Sequence, residues 1–192
     1  VWLGATLAAR GVSGSDPYAY AQMGVDLATR GTVYHRFPLM RLTYELGIPS
    51  EPIPHIGYRE PTDAGRESTT VWPPGYAAFT GAAYALAGEG GLYAITPLFG
   101  LLALLVVAAL ARTVGPPGAP GAWMTGLAVV LTALSYQQVE WQLIPMADLA
   151  AQAFSLLALV VALRRRGWPA ALLAGLCVGI AGIMYMLRLN IS

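Results

Sequence analysis

Four charged side chains stand where an apolar chain has little structural use for them: Asp16, Glu140, Asp148 and Arg188. Asp16 sits in Gly14-Ser15-Asp16-Pro17-Tyr18, a helix-start pattern with Ser15 or Asp16 as N-cap and Pro17 in the first turn. A carboxylate there is favoured by the helix dipole and can accept a proton from a bound hydroxyl. The same placement also fits a plain cap. Asp148 follows Pro145-Met146-Ala147 and opens an apolar run. Ionisable groups at membrane depth are costly and are functional candidates by default, although a partner for the helix dipole near the headgroups is the simpler alternative. Glu140, beside Trp141 and Gln142, reads most simply as a solvated loop charge. Arg188 has Asn190 two residues on. Its guanidinium suits bidentate phosphate binding, while as an interfacial anchor it would need no function.

Other chemistries are excluded. Cys177 is the single cysteine, so an intrachain disulfide or thiolate cluster cannot form, and the two histidines lie far apart. The sequence predicts no cofactor, with a divalent metal as the open alternative. All eleven basic residues are Arg and the formal net charge is +1, which lacks the basic surface of a nucleic-acid binder.

The elements that must position these residues follow from composition. The chain is 56% hydrophobic and 11% charged, against roughly 25% charged in soluble domains. Seven of the ten acidic and six of the eleven basic residues fall between Arg10 and Glu67, so the second half is built to face lipid. Residues 1–9 are expected to be the end of a first transmembrane helix, with a trimmed signal peptide as the alternative, and the chain reads as a piece of a longer protein. Residues 10–90 form a long polar loop with an amphipathic helix over about 16–30, placing Tyr20, Met23 and Leu27 on one face and ending at Gly31. Residues after Arg36 are expected to be irregular because of Pro38, Pro49, Pro52, Pro54 and Pro61. An interfacial helix over about 74–87 follows, begun by the prolines and ended by Gly88; a re-entrant hairpin is the alternative. Transmembrane helices are expected over about 91–111, 122–139, 144–163 and 168–187, each near the roughly 20 residues a span requires. Arg112 and Arg164-Arg165-Arg166 flank spans two crossings apart, which puts both on the cytoplasmic side and Asp16, Glu140, Asp148 and Arg188 outside. The fold class is therefore all-α: a multi-pass transmembrane bundle with a long first extracytoplasmic loop carrying surface helices.

Several stretches, in this order, resemble the membrane glycosyltransferases of the C-type fold: Ser13-Gly14-Ser15-Asp16-Pro17-Tyr18, Val71-Trp72-Pro73-Pro74-Gly75-Tyr76, Gln142-Leu143-Ile144-Pro145-Met146-Ala147-Asp148, and Met186-Leu187-Arg188-Leu189-Asn190. The chain is similar to the N-terminal portion of bacterial protein O-mannosyltransferase-like and aminoarabinose-transferase-like enzymes. The resemblance implies a plasma-membrane enzyme that uses a polyprenyl-phosphate-linked sugar at the extracytoplasmic face. It implies transfer with inversion to a glycan, lipid or protein acceptor. Asp16 would be the base or acceptor-positioning carboxylate and Asp148 the acidic residue of the second outer loop. Tyr18, Glu140, Gln142, Arg188 and Asn190 would contact substrate, with Arg188 meeting the departing phosphate. The chain departs from some relatives in having no Asp-X-Asp pair around Asp16, and in lacking Pro or Thr between Arg188 and Asn190. The competing class is a transporter or flippase-like protein, but neither paired repeats nor broken helices near the membrane centre are apparent in the sequence.

Overall fold

The computed structural model describes residues 14–48, 57–59 and 67–185. The expected first-helix remnant at 1–9, and Arg188 and Asn190, lie outside these residues. The described part is all-α: α1 Ser15–Arg30, α2 Met40–Glu45, α3 Gly75–Val114, α4 Ala119–Leu134, α5 Tyr136–Gln142, α6 Asp148–Arg164 and α7 Trp168–Tyr185. The described residues include two isolated antiparallel bridges, His35 with Ser68 and Tyr58 with Thr70.

Local chemistry sets the boundaries of α1. Gly14, at φ 101°, turns the chain into α1 as N-cap, so neither Ser15 nor Asp16 takes that role; both lie in the first turn, and the Ser15 hydroxyl donates to Asp16 Oδ1 at 2.8 Å. Gly31 closes the helix in the left-handed conformation at φ 69°, donating its N–H to Leu27 O. The buried face carries Tyr20, Met23 and Gly24, whereas Leu27 is only half-buried.

Helix α3 begins after Pro73 and Pro74 and kinks at Ala87 and Gly88, where Gly88 takes φ 59° and ψ −145°. The break expected at Gly88 is thus a kink: a first arm over 75–86 joins a second over 89–114 without a loop. Two expected helices also differ in extent. The one expected over 122–139 breaks at Ser135, whose φ of −63° and ψ of 138° leave α4 and α5 inclined by 60°. There the Ser135 hydroxyl and N–H both satisfy Thr132 O, which ends the helical ladder. The one expected over 144–163 starts only at Asp148, because Pro145 lacks an N–H and disfavours helical geometry at the residue before it.

The α3 helix packs against α1, α4 and α6, and α6 in turn against α7. The α1–α3 crossing is close because Gly24 meets Thr80 and Gly81: a Cβ on Gly24 would stand within 2.9 Å of Thr80 Cβ. The core gathers Tyr20, Met23, Tyr76, Phe99, Leu149 and Met184, with Trp72, Phe79 and Phe154 packed against it. At the opposite end of the bundle, Arg164 ties α6 to α3, donating to Thr113 Oγ1 at 2.6 Å and Ala109 O at 3.0 Å.

Large apolar side chains point outward on α4 (Trp123, Leu127, Leu131, Leu134) and on α7 (Leu172, Leu176, Val178, Ile183). By length and composition Gly75–Val114 suffices to cross a membrane; α4 and α5 do so only as a bent pair, and Trp168–Met184 is apolar but shorter.

Candidate active site

At the end of the bundle away from Arg164, four segments surround a small cleft of about 90 Å³. Helix α1 supplies Asp16 and Tyr20, and the approach to α3 supplies Trp72 and Pro73. The α5–α6 turn and the start of α6 supply Met146 and Asp148, and the last turn of α7 supplies Met184. The first turn of α1 and the first residue of α6 therefore bring two carboxylates into one half-exposed hollow with aromatic and thioether walls. Both sit at helix starts, where the dipole favours negative charge. Such a hollow can hold a polar group between an apolar wall and two proton acceptors.

A polar network ties the far part of α1 to the described loop residues. Asp26 is buried, and its carboxylate accepts from Gln22 Nε2 at 3.2 Å and Arg30 at 3.2 Å and lies 2.8 Å from His35 Nδ1. Glu67 joins Arg30 at 3.0 Å and Arg36 at 2.6 Å. The backbones of His35 and Ser68 exchange two hydrogen bonds, of 2.8 and 3.0 Å. His35, Phe37, Tyr58 and Tyr18 meet edge to face in an aromatic chain beside them. Burial, with the nearby Asp26 charge adding to it, raises the pKa of Tyr18; burial raises that of Tyr58 further. Gly57, at φ 95°, rests against both Trp72 and Ser15: a Cβ there would lie 3.0 Å from Trp72 Nε1 and 3.8 Å from Ser15 Cβ. Its carbonyl accepts from Val71 N–H at 2.8 Å. Gly57 so held lies beside Trp72 and the first residue of α1.

Of the residues singled out in the sequence, the structure brings Asp16 and Asp148 together and sends three others elsewhere. Tyr18 turns toward Tyr58, with ring centroids 6.2 Å apart. Gln142 is buried against α3, where only a glycine at position 100 leaves room for it: a Cβ would stand 2.9 Å from Gln142 Cγ. Glu140 is exposed on α5 and does not line the cleft. The sequence reading missed Tyr20, Met146 and Met184 as cleft residues and missed the Asp26–His35 pair. Trp72 entered the sequence reading as part of the stretch over residues 71–76. Among the described residues no group of three or more His, Cys, Asp or Glu could hold a metal ion.

No protein-family model, curated protein or solved structure matches this chain.

Proposed function

We infer that this protein is a multi-pass membrane glycosyltransferase that moves a sugar from a polyprenyl-phosphate donor to an acceptor at the extracytoplasmic face of the plasma membrane. The observation that carries the reading is the convergence of Asp16 and Asp148, distant in sequence and each at a helix start, on one aromatic-walled cleft. The outward apolar faces of α4 and α7 support the membrane setting, since a bilayer is the solvent such faces need.

In the reaction, an acceptor hydroxyl oxygen attacks the anomeric carbon as the bond from that carbon to the donor phosphate oxygen breaks. The hydroxyl proton passes to a carboxylate, Asp16 in this assignment, and the phosphate leaves with the bonding electron pair. Asp148, across the cleft, orients the sugar or acceptor hydroxyls. Attack from the face opposite the leaving phosphate inverts the anomeric centre. Trp72, only half-buried, offers a flat apolar surface on which a sugar ring can lie. The cleft is smaller than the roughly 300 Å³ of an ordinary ligand pocket, so it takes the reacting group while the polyprenyl chain stays in lipid. The transport alternative gains nothing from the helix breaks: those at Gly88 and Ser135 both fall toward the acidic end of the bundle, not midway along it.

Transfer measured in membranes holding the complete gene product, with a labelled polyprenyl-phosphate sugar pool, tests the reading. Wild type is expected to release label from lipid, and Asp16→Asn to slow release by about 100-fold or more, the usual scale for loss of a general base. No release by correctly inserted wild type with any donor would sink it.

A further inference from the structure

The other end of the bundle carries a charge pattern that the transfer reaction does not use. Arg112 closes α3, and Arg164, Arg165 and Arg166 lie where α6 ends. Arg164 spends Nε and one terminal nitrogen on Thr113 and Ala109, which fixes the end of α6 beside Arg112. Arg112, Arg165 and Arg166 are exposed and enter none of the ion pairs seen among the described residues. The described carboxylates near the bundle, Glu89, Glu140 and Asp148, all lie toward the opposite ends of α3, α5 and α6. Among the described residues no carboxylate pairs with these four arginines, whose like charges at one end of the bundle favour binding of an anion there.

Two further residues set the level of this end. Trp123 in the first turns of α4 and Trp168 at the start of α7 are 79% and 74% exposed. Indole rings so exposed beside an apolar helix face prefer the headgroup layer of a bilayer. They put the guanidinium groups at the depth of lipid phosphates, which arginine binds bidentately.

We propose that Arg112, Arg165 and Arg166 form a binding site for the phosphate of an anionic phospholipid headgroup, seated between the ends of α3 and α6. The site rests on the membrane reading and is independent of the transferase chemistry. It predicts selectivity among lipids beyond general attraction to negative membranes, because Arg164 holds the two helix ends in register.

The test uses the full chain reconstituted in vesicles, with tryptophan fluorescence quenched by brominated phosphatidylglycerol or brominated phosphatidylcholine at equal mole fraction. Insertion is checked first by flotation and resistance to alkaline extraction. Quenching is expected to saturate at several-fold lower mole fraction of the anionic lipid. Arg165→Gln with Arg166→Gln should reduce that preference, and adding Arg112→Gln should abolish it while Arg164 keeps the helix ends joined. Arg165→Lys with Arg166→Lys keeps the charge without the fork and should retain only part of the preference, which separates a site from a diffuse field. Equal quenching by both lipids in inserted protein overturns the site alone. Displacement of the preference by millimolar inorganic phosphate would assign it to free phosphate and overturn the lipid claim. Failure to insert overturns the site together with the membrane reading.

Discussion

Asp26 is the most buried carboxylate among the described residues, and it stays tolerable inside because Gln22, Arg30 and His35 surround it. Removing it takes the carboxylate from His35 and leaves Arg30 with Glu67 alone. Asp26→Ala is expected to cost about 2 kcal/mol, below the roughly 3–5 kcal/mol of a fully buried pair because Arg30 and His35 are partly solvated. A drop in thermal midpoint in detergent would measure it. Tyr58 behaves oppositely: its hydroxyl is buried and has no hydrogen-bond partner among the described residues. Tyr58→Phe should therefore be neutral or stabilising by up to about 1 kcal/mol. Burial raises the pKa of Tyr58 and of Tyr18, so the folded chain holds these protons more tightly than the unfolded chain. Stability then falls as pH rises above about 10, the ordinary tyrosine value, toward the raised folded values, and Tyr58→Phe should flatten that alkaline decline. At this scale the sequence was partly legible. Asp16 and Asp148 announced themselves as charges at helix starts, whereas Asp26, inside the expected amphipathic helix, was not singled out because nothing local reports that His35 folds back onto it.

At the scale of elements, the sequence located helices better than their breaks. Proline and glycine punctuation set the start of α3 and the end of α1, since both act through the local backbone. The break at Ser135 was hidden because residues 122–139 form an unbroken charge-free run, and hydropathy does not register a serine that satisfies its own helix end. The α1–α3 crossing was equally invisible, as it depends on two glycines in different elements. Gly24→Ala would drive a methyl into Thr80 and the backbone of Gly81, so a loss of about 2 kcal/mol is expected, at the scale of core overpacking. Because α1 carries Asp16 and Tyr20, that variant should also impair the cleft, which a parallel measurement of transfer would detect. A stability unchanged by Gly24→Ala would mean that the crossing is looser than the structure has it.

For the whole molecule, the two ends of the bundle differ in kind: carboxylates and aromatics at one, guanidinium groups and exposed indoles at the other. This polarity was legible from the spacing of Arg112 and the Arg164–Arg166 triplet, and it makes a topological prediction. The one native cysteine, Cys177, is buried, so introduced thiols can be labelled against a quiet background. Leu46→Cys and Arg166→Cys should react from opposite sides of intact cells, and reaction from the same side would refute the crossing pattern.

What the sequence could not reveal is that the helix starts bearing Asp16 and Asp148 meet, since their convergence depends on how α1 and α6 both pack on α3. Transfer rates of Asp16→Asn, Asp148→Asn and the double variant test that convergence most directly. If the two carboxylates serve one site, each single change is expected to lower the rate by about 100-fold or more, and the double change to cost little beyond the larger single loss. Wild-type rates in either single variant, or losses that multiply in full, would contradict a shared site.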